Sequence, residues 1–156
     1  MNTPIRLASG LAIHAGRVLL VASTYASHDV LWNLPGGRVA RGELLHETVA
    51  REVHEETSLH ARVGDLAYIS ESYDGERHIS SATFTIDVSG TIALPGAGDH
   101  VVAAEWVPIE SIAERIVVPV VRDPLLRYLR EGLRYHGFAQ AGITIAWPSL
   151  DDAQGL

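Results

Sequence analysis

Gly36–Leu59 reads GGRVARGELLHETVAREVHEETSL, and five glutamates (Glu43, Glu47, Glu52, Glu55 and Glu56) fall within fourteen residues of it. Leu44–Thr57 has the pattern of an amphipathic helix, with Leu45, Val49 and Val53 one turn apart as its buried stripe. On such a helix Glu52, Glu55 and Glu56 stand at i, i+3 and i+4 and share one strip. Like charges so placed cost about 0.2–0.5 kcal/mol per pair. No lysine follows four residues on to offset them. A charge run of this kind is in most proteins a solvated helix face. Here, however, a glycine turn leads into the helix, and Glu43 sits beside its start. Hard divalent cations take several oxygen ligands, and carboxylates on rigid backbone supply them. Metal binding would turn the mutual repulsion into ligand charge.

Upstream, Ile5–His14 alternates, with Leu7, Leu11 and Ile13 on one face, and Val18–Ala22 is the compact run VLLVA. Both read as strands joined at Ala15-Gly16. A polar loop, Ser23–Asp29, precedes a short extended piece, Val30–Leu34, closed by the turn signal Pro35-Gly36-Gly37. Downstream, Arg62–Tyr73 and Ile79–Val88 read as a hairpin around Asp74-Gly75. A Gly/Pro loop, Gly90–Asp99, leads to a strand at Val101–Val107 and a short helix at Ile109–Ile116. Arg122–Arg134 reads as a last helix with Pro124 in its first turn, where proline is tolerated. After Gly137 the alternation ITIAW could add a strand. Strands before, between and after helices predict a mixed sheet with helices on its faces.

With 156 residues, 47% hydrophobic and 20% charged, the chain has the length and composition of one globular domain. No apolar run approaches the roughly 18–20 residues of a membrane helix. The N-terminal stretch MNTPIRLASGLAIHAG lacks the pattern of a secretory leader. There are no cysteines, which excludes disulfides, thiolate metal sites and a cysteine nucleophile, and fits a reducing cytoplasm. The formal net charge is −7 and the twelve Lys and Arg are scattered, so a nucleic-acid partner is not expected. An acidic chain can still take an anionic small molecule when a divalent cation intervenes.

The spacing carries a resemblance. Gly37, five residues, Glu43, seven residues, Arg51-Glu52-Val53, one residue, Glu55-Glu56, one residue, Ser58-Leu59 resembles the Nudix box, GX5EX7REUXEEXGU, with Ser58 in place of its last glycine. Trp32-x-x-Pro35-Gly36-Gly37 before the box and Glu105-Trp106-Val107-Pro108 after it also resemble the family. The resemblance covers roughly residues 4–134 of a single domain, 1–156, with 135–156 as a C-terminal extension. It implies an α+β Nudix fold, an α/β/α sandwich whose mixed central sheet is flanked by helices.

What the resemblance implies for function is equally concrete. The activity would be metal-dependent hydrolysis of the pyrophosphate bond in a nucleoside diphosphate linked to another moiety, with Mg²⁺ or Mn²⁺ as cofactor. Glu52, Glu55 and Glu56 would bind metal, and Glu52 would also orient or activate water. Glu43 would stand in the outer metal shell. Arg51 would hold Glu43 or a neighbouring carboxylate by a charge-assisted fork. Gly36 and Gly37 would bring the chain close to the phosphates. Trp32 would stack on a base or pack under the turn. Asp99, in the loop GAGDHVVAAEW, is the candidate accessory carboxylate, with an ordinary loop cap as its competing description; Glu105 and His100 stand behind it. Ser58 should close the helix with positive φ, as the family glycine does.

Two other classes compete. A Nudix-fold module that senses a nucleotide without cleaving it usually loses box glutamates, and all four are present. An isopentenyl-diphosphate isomerase relies on a cysteine, and this chain has none. Nucleoside triphosphates, ADP-sugars and dinucleoside polyphosphates all stay open as substrates, and so does a homodimer.

Overall fold

The computed structural model describes residues 3–24 and 29–139. Two mixed-length sheets form its centre. The first carries five strands in the order β5–β1–β7–β6–β9: Gly36–Arg38 (β5), Ile5–Leu11 (β1), His78–Ser89 (β7), His60–Tyr73 (β6) and Tyr135–Ala139 (β9). β1 runs parallel to β7 and β9 parallel to β6, whereas β5–β1 and β6–β7 are antiparallel. The second sheet is built on Arg17–Thr24 (β3), which pairs with Ile13–His14 (β2), Val30–Asn33 (β4) and Val101–Pro108 (β8), all antiparallel. Helix α1, Leu45–Thr57, covers one face, where Val49 and Val53 pack with Ala8, Leu19, Leu59 and Ile86. Helices α2, Ile112–Arg115, and α3, Pro119–Glu131, cover the other, where Leu125 and Leu126 pack with Leu11, Leu20, Tyr68 and Val107. The result is the expected α+β sandwich, with one mixed and one antiparallel sheet.

Four local expectations change. Ile5–His14 is two strands, because its first part pairs with β7 and β5 while Ile13-His14 crosses into the sheet of β3. Gly36-Gly37 is no turn. It enters β5, pairs in register with Ser9 and Ala8, and neither glycine has positive φ. The last helix starts at Pro119, three residues before Arg122, since a proline's fixed φ and missing N–H suit the first turn equally well there. Pro124 therefore lies in the helix interior, where it forgoes one intrahelical bond but is itself buried. Finally, Tyr135–Ala139 adds a parallel strand beyond β6, within the segment read as an extension. The ITIAW alternation lies outside the described residues.

Helix α1 is closed as expected at its C-terminal end. At its start the Leu44 N–H donates to the Glu47 carboxylate at 2.9 Å. At its end Ser58 adopts φ 66° and ψ 1°, a left-handed conformation, and its N–H donates to the His54 carbonyl. The Ser58 hydroxyl also donates to the Ala93 carbonyl at 2.8 Å. A left-handed non-glycine residue is strained by roughly 1 kcal/mol, so here strain and hydrogen bond oppose one another. Ser58→Ala should lose the bond and keep the strain. Ser58→Gly should lose both, and chemical denaturation should find it more stable than Ser58→Ala by about 1 kcal/mol. Equal stability of the two variants would mean that the left-handed turn carries no strain.

Candidate active site

The glutamate strip of α1 lies against the β5 edge rather than in solvent. Glu52 and Glu56 are 2% and 3% exposed. The Gly36 N–H donates to Glu56 Oε1 at 2.7 Å. Glu52 presses on Gly37: a Cβ there would lie 2.6 Å from the Glu52 carboxylate carbon and Oε1. A Cβ on Gly36 would lie 2.4 Å from the Ala8 carbonyl oxygen. The two glycines are thus required by close approach, of helix on strand and of strand on strand, and not by a turn.

Arg51 ties the strip together. Its Nε and Nη2 donate to Glu43 Oε2 and Oε1 at 2.8 and 3.0 Å, the forked pairing expected from the sequence. Its Nη1 donates to Glu52 Oε1 at 2.8 Å and to Glu55 Oε2 at 3.2 Å, and Nη2 reaches the Arg38 carbonyl at 3.0 Å. Glu43 accepts two more bonds, from Thr48 Oγ1 at 2.6 Å and the Ala40 N–H at 3.1 Å. Its carboxylate is consumed in holding Arg51 and the 40–43 loop, while the Glu55 side chain is 54% exposed at the open end of the strip.

Burial sets the electrostatics. The Glu52 carboxyl is pushed up to about 7 by burial and by the Glu56 charge, against the pull of Arg51. Glu56 is raised by its burial too, although His100 and the Gly36 N–H favour its ionised form. Glu43 is held down at about 2 by Arg51 and Thr48. Among the described residues no three of His, Asp and Glu converge as a ready-made metal-ligand group; Arg51 supplies the positive charge between them. The donor set nevertheless suits a hard divalent cation, since it offers carboxylate oxygens whose crowding such a charge would relieve.

The loop candidates divide. Asp99 Oδ1 accepts the Val101 N–H at 3.0 Å, the loop-cap role, and also lies 3.2 Å from His100 Nδ1. His100 Nε2 in turn lies 3.7 Å from Glu56 Oε2, and this carboxylate raises the pKa of the imidazole. The structure thus brings His100, forty-four positions beyond Glu56, to the glutamate strip; no spacing rule points to that contact. Glu105 is drawn instead to Arg115 at 2.7 Å. The Arg115 guanidinium covers the Trp32 ring at 4.6 Å, so this face of the indole is taken and Trp32 packs against the core. His78 Nε2 donates to Glu71 Oε2 at 2.8 Å, and the Tyr73 hydroxyl closes the hairpin tip on the Gly75 carbonyl.

Gly36 and Gly37 also line a small cleft of about 100 Å³, partly open to solvent. Its floor is the α3 face of the first sheet, with Ser70, Ser81 and Thr83, and its walls include Leu34, Val120 and Phe138.

A five-plus-four-stranded sandwich with two buried glutamates of the box docked on a Gly-Gly edge defines the class. A NUDIX domain model matches residues 4–129, and the chain belongs to that family. It is 32% identical over 111 residues to a protein of Methanocaldococcus jannaschii named ADP-ribose pyrophosphatase, covering 70% of this chain and 64% of that one. A MutT protein of Methanosarcina mazei superposes with a TM-score of 0.71 at 30% identity, over 86% of this chain and 99% of that one. A NUDIX hydrolase of Nitrosomonas europaea shares the fold, with a TM-score of 0.73 at 22% identity over 85% and 93% of the two chains. The matches span less than two thirds of the curated relatives, 64%, 32% and 43% of their lengths.

Two outcomes follow from this geometry. Gly36→Ala should destabilise the fold more than Gly37→Ala, because its Cβ meets backbone while that of Gly37 meets the end of a side chain; overpacking of this kind costs about 1–3 kcal/mol. Equal melting shifts would contradict it. Because Glu52 is raised from 4.5 to about 7, its protonated form favours the folded state between those values. That contribution is present below about pH 4.5 and lost as pH rises toward 7, on the order of 3 kcal/mol. Glu43, lowered to about 2, acts oppositely, with stability lost as pH falls from 4.5 toward 2. Thermal melts of chelated protein should therefore fall from pH 5 to pH 8, and Glu52→Gln should flatten that slope. An unchanged slope would mean that Glu52 is ionised throughout.

Proposed function

We propose that the chain hydrolyses the pyrophosphate bond of a nucleoside diphosphate linked to another moiety, using Mg²⁺ or Mn²⁺. The observation that carries this reading is the burial of Glu52 and Glu56 against Gly36 and Gly37, beside a cleft that opens to solvent. Glu52, Glu55 and Glu56 would hold the cation, and Glu43 acts on them through Arg51. When bound, the cation neutralises charge on phosphoryl oxygens and acidifies water. Glu52 is suited to orient the attacking water: Arg51 engages its Oε1, which leaves Oε2 to accept a hydrogen bond from that water. Glu56, fixed by the Gly36 N–H, and Arg51, fixed by Glu43, keep the strip in place without rearrangement during the reaction. Asp99 keeps the accessory place in this reading, 3.2 Å from the ring of His100, which in turn stands beside Glu56. The name of the methanogen relative makes ADP-ribose the first substrate to test. A reducing cytoplasm suits a chain without cysteine.

The experiment is a panel of ADP-ribose, nucleoside triphosphates and dinucleoside polyphosphates with Mg²⁺, read by chromatography of released nucleotide. At least one should be cleaved, with activity lost in excess chelator and restored by Mg²⁺ or Mn²⁺. Glu52→Gln and Glu56→Gln should each lower kcat by about 100-fold or more while the protein stays folded. Near-normal rates in both variants, or full activity in chelator, would overturn the reading.

A further inference from the structure

The corner at the C-terminal end of α1 carries two imidazoles that the glutamate strip does not use. His54, in the last turn of the helix, and His60, the first residue of β6, are both exposed. Their rings stack, with centroids 4.8 Å apart and planes 24° from parallel. His54 Nδ1 donates to the Leu59 carbonyl at 3.3 Å. A carbonyl only accepts, so the proton of the neutral ring sits on Nδ1 and Nε2 keeps its lone pair. A backbone carbonyl on one ring nitrogen is the arrangement that fixes tautomer and orientation in metal-ligating histidines.

The backbone between the two rings is held from several sides. Ser58 is left-handed; its N–H donates to the His54 carbonyl and its hydroxyl to the Ala93 carbonyl. Leu59 is buried, and its N–H donates to Thr57 Oγ1 at 3.2 Å. His60 is placed by the register of β6 on β7, opposite Ser89. Neither ring therefore needs a backbone movement to stand beside the other.

Spacing and chemistry fit a single ion. Metal–imidazole bonds are about 2.0–2.1 Å, so two rings in adjacent positions on one ion have centroids roughly 4.5–5.5 Å apart. The 4.8 Å separation of His54 and His60 falls in that range. Imidazole nitrogen suits Zn²⁺, Ni²⁺ and Cu²⁺, whereas Mg²⁺ and Ca²⁺ prefer oxygen. The pair also lies at the carbonyl end of a 13-residue helix, where the macrodipole favours positive charge.

We propose that His54 and His60 form a binding site for a divalent transition-metal ion of the Zn²⁺ and Ni²⁺ class, with water completing its shell. The bound ion ties the end of α1 to the start of β6. This site is distinct from the Glu52–Glu56 strip, and it stands whether or not the chain is a hydrolase.

The test is calorimetric titration of untagged protein with Ni²⁺ in millimolar Mg²⁺, which offers the carboxylates their preferred ion. Ni²⁺ should bind saturably, and His54→Ala and His60→Ala should each weaken it by about tenfold or more. Glu56→Gln, in the strip, and His46→Ala, at another exposed histidine of α1, should leave the affinity unchanged. In NMR spectra, substoichiometric Ni²⁺ should broaden the imidazole signals of His54 and His60 before those of the other histidines. Ni²⁺ should also raise the melting temperature of the wild type and of neither alanine variant. If His54→Ala does not fold, His60→Gln carries the same comparison. Unchanged affinity in both histidine variants would overturn the proposal. So would the absence of saturable binding at millimolar Ni²⁺, or binding that is lost in Glu56→Gln while both histidines are intact.

Discussion

The contact on which the site depends is the fork between Arg51 and Glu43. One guanidinium reaches Glu43, Glu52, Glu55 and the Arg38 carbonyl, so a single side chain joins the loop before α1, the helix itself and the β5 strand. Without that cation, carboxylates one turn apart would repel across a buried surface. Glu43 makes the arrangement possible by spending its own acceptors on Arg51, Thr48 and Ala40. A lysine could supply the charge but not the planar fork that reaches Glu43 with two nitrogens while a third serves Glu52.

The second constraint is the depth to which α1 is set against β5. Glu52 and Glu56 are buried because Gly37 and Gly36 have no side chains to hold the helix away. Burial then raises the pKa of both carboxyl groups, which makes their ionised forms costly in the fold. The same close packing leaves the opposite side of the glycine edge open, where the hydroxyl floor of the first sheet begins.

The local signals in the sequence were strong where geometry is set by near neighbours. The α1 periodicity, the glutamate strip, the hairpin around Asp74-Gly75 and the left-handed closure at Ser58 all depend on residues within one or two turns of each other. The Arg51–Glu43 fork was implied by the resemblance to the Nudix box, and its partners lie about two helical turns apart. The Pro35-Gly36-Gly37 signal was strong but misdirected. Glycine is favoured both where φ is positive and where another group approaches closely, and composition does not distinguish the two.

The sequence by itself determined the family, the helix and the carboxylates, because the spacing within one box is enough to align them on one face. Tertiary structure decided which of them are buried, since that depends on β1 and β5 meeting α1. It also decided that His100 and not Glu105 stands by Glu56, that Trp32 lies under Arg115, and that Ser70 faces Ser81. Each of these contacts joins segments brought together only by strand order and register. A sheet's side chains alternate with period two, so one strand's neighbour and its register settle what shares a face, and neither is written in any single segment.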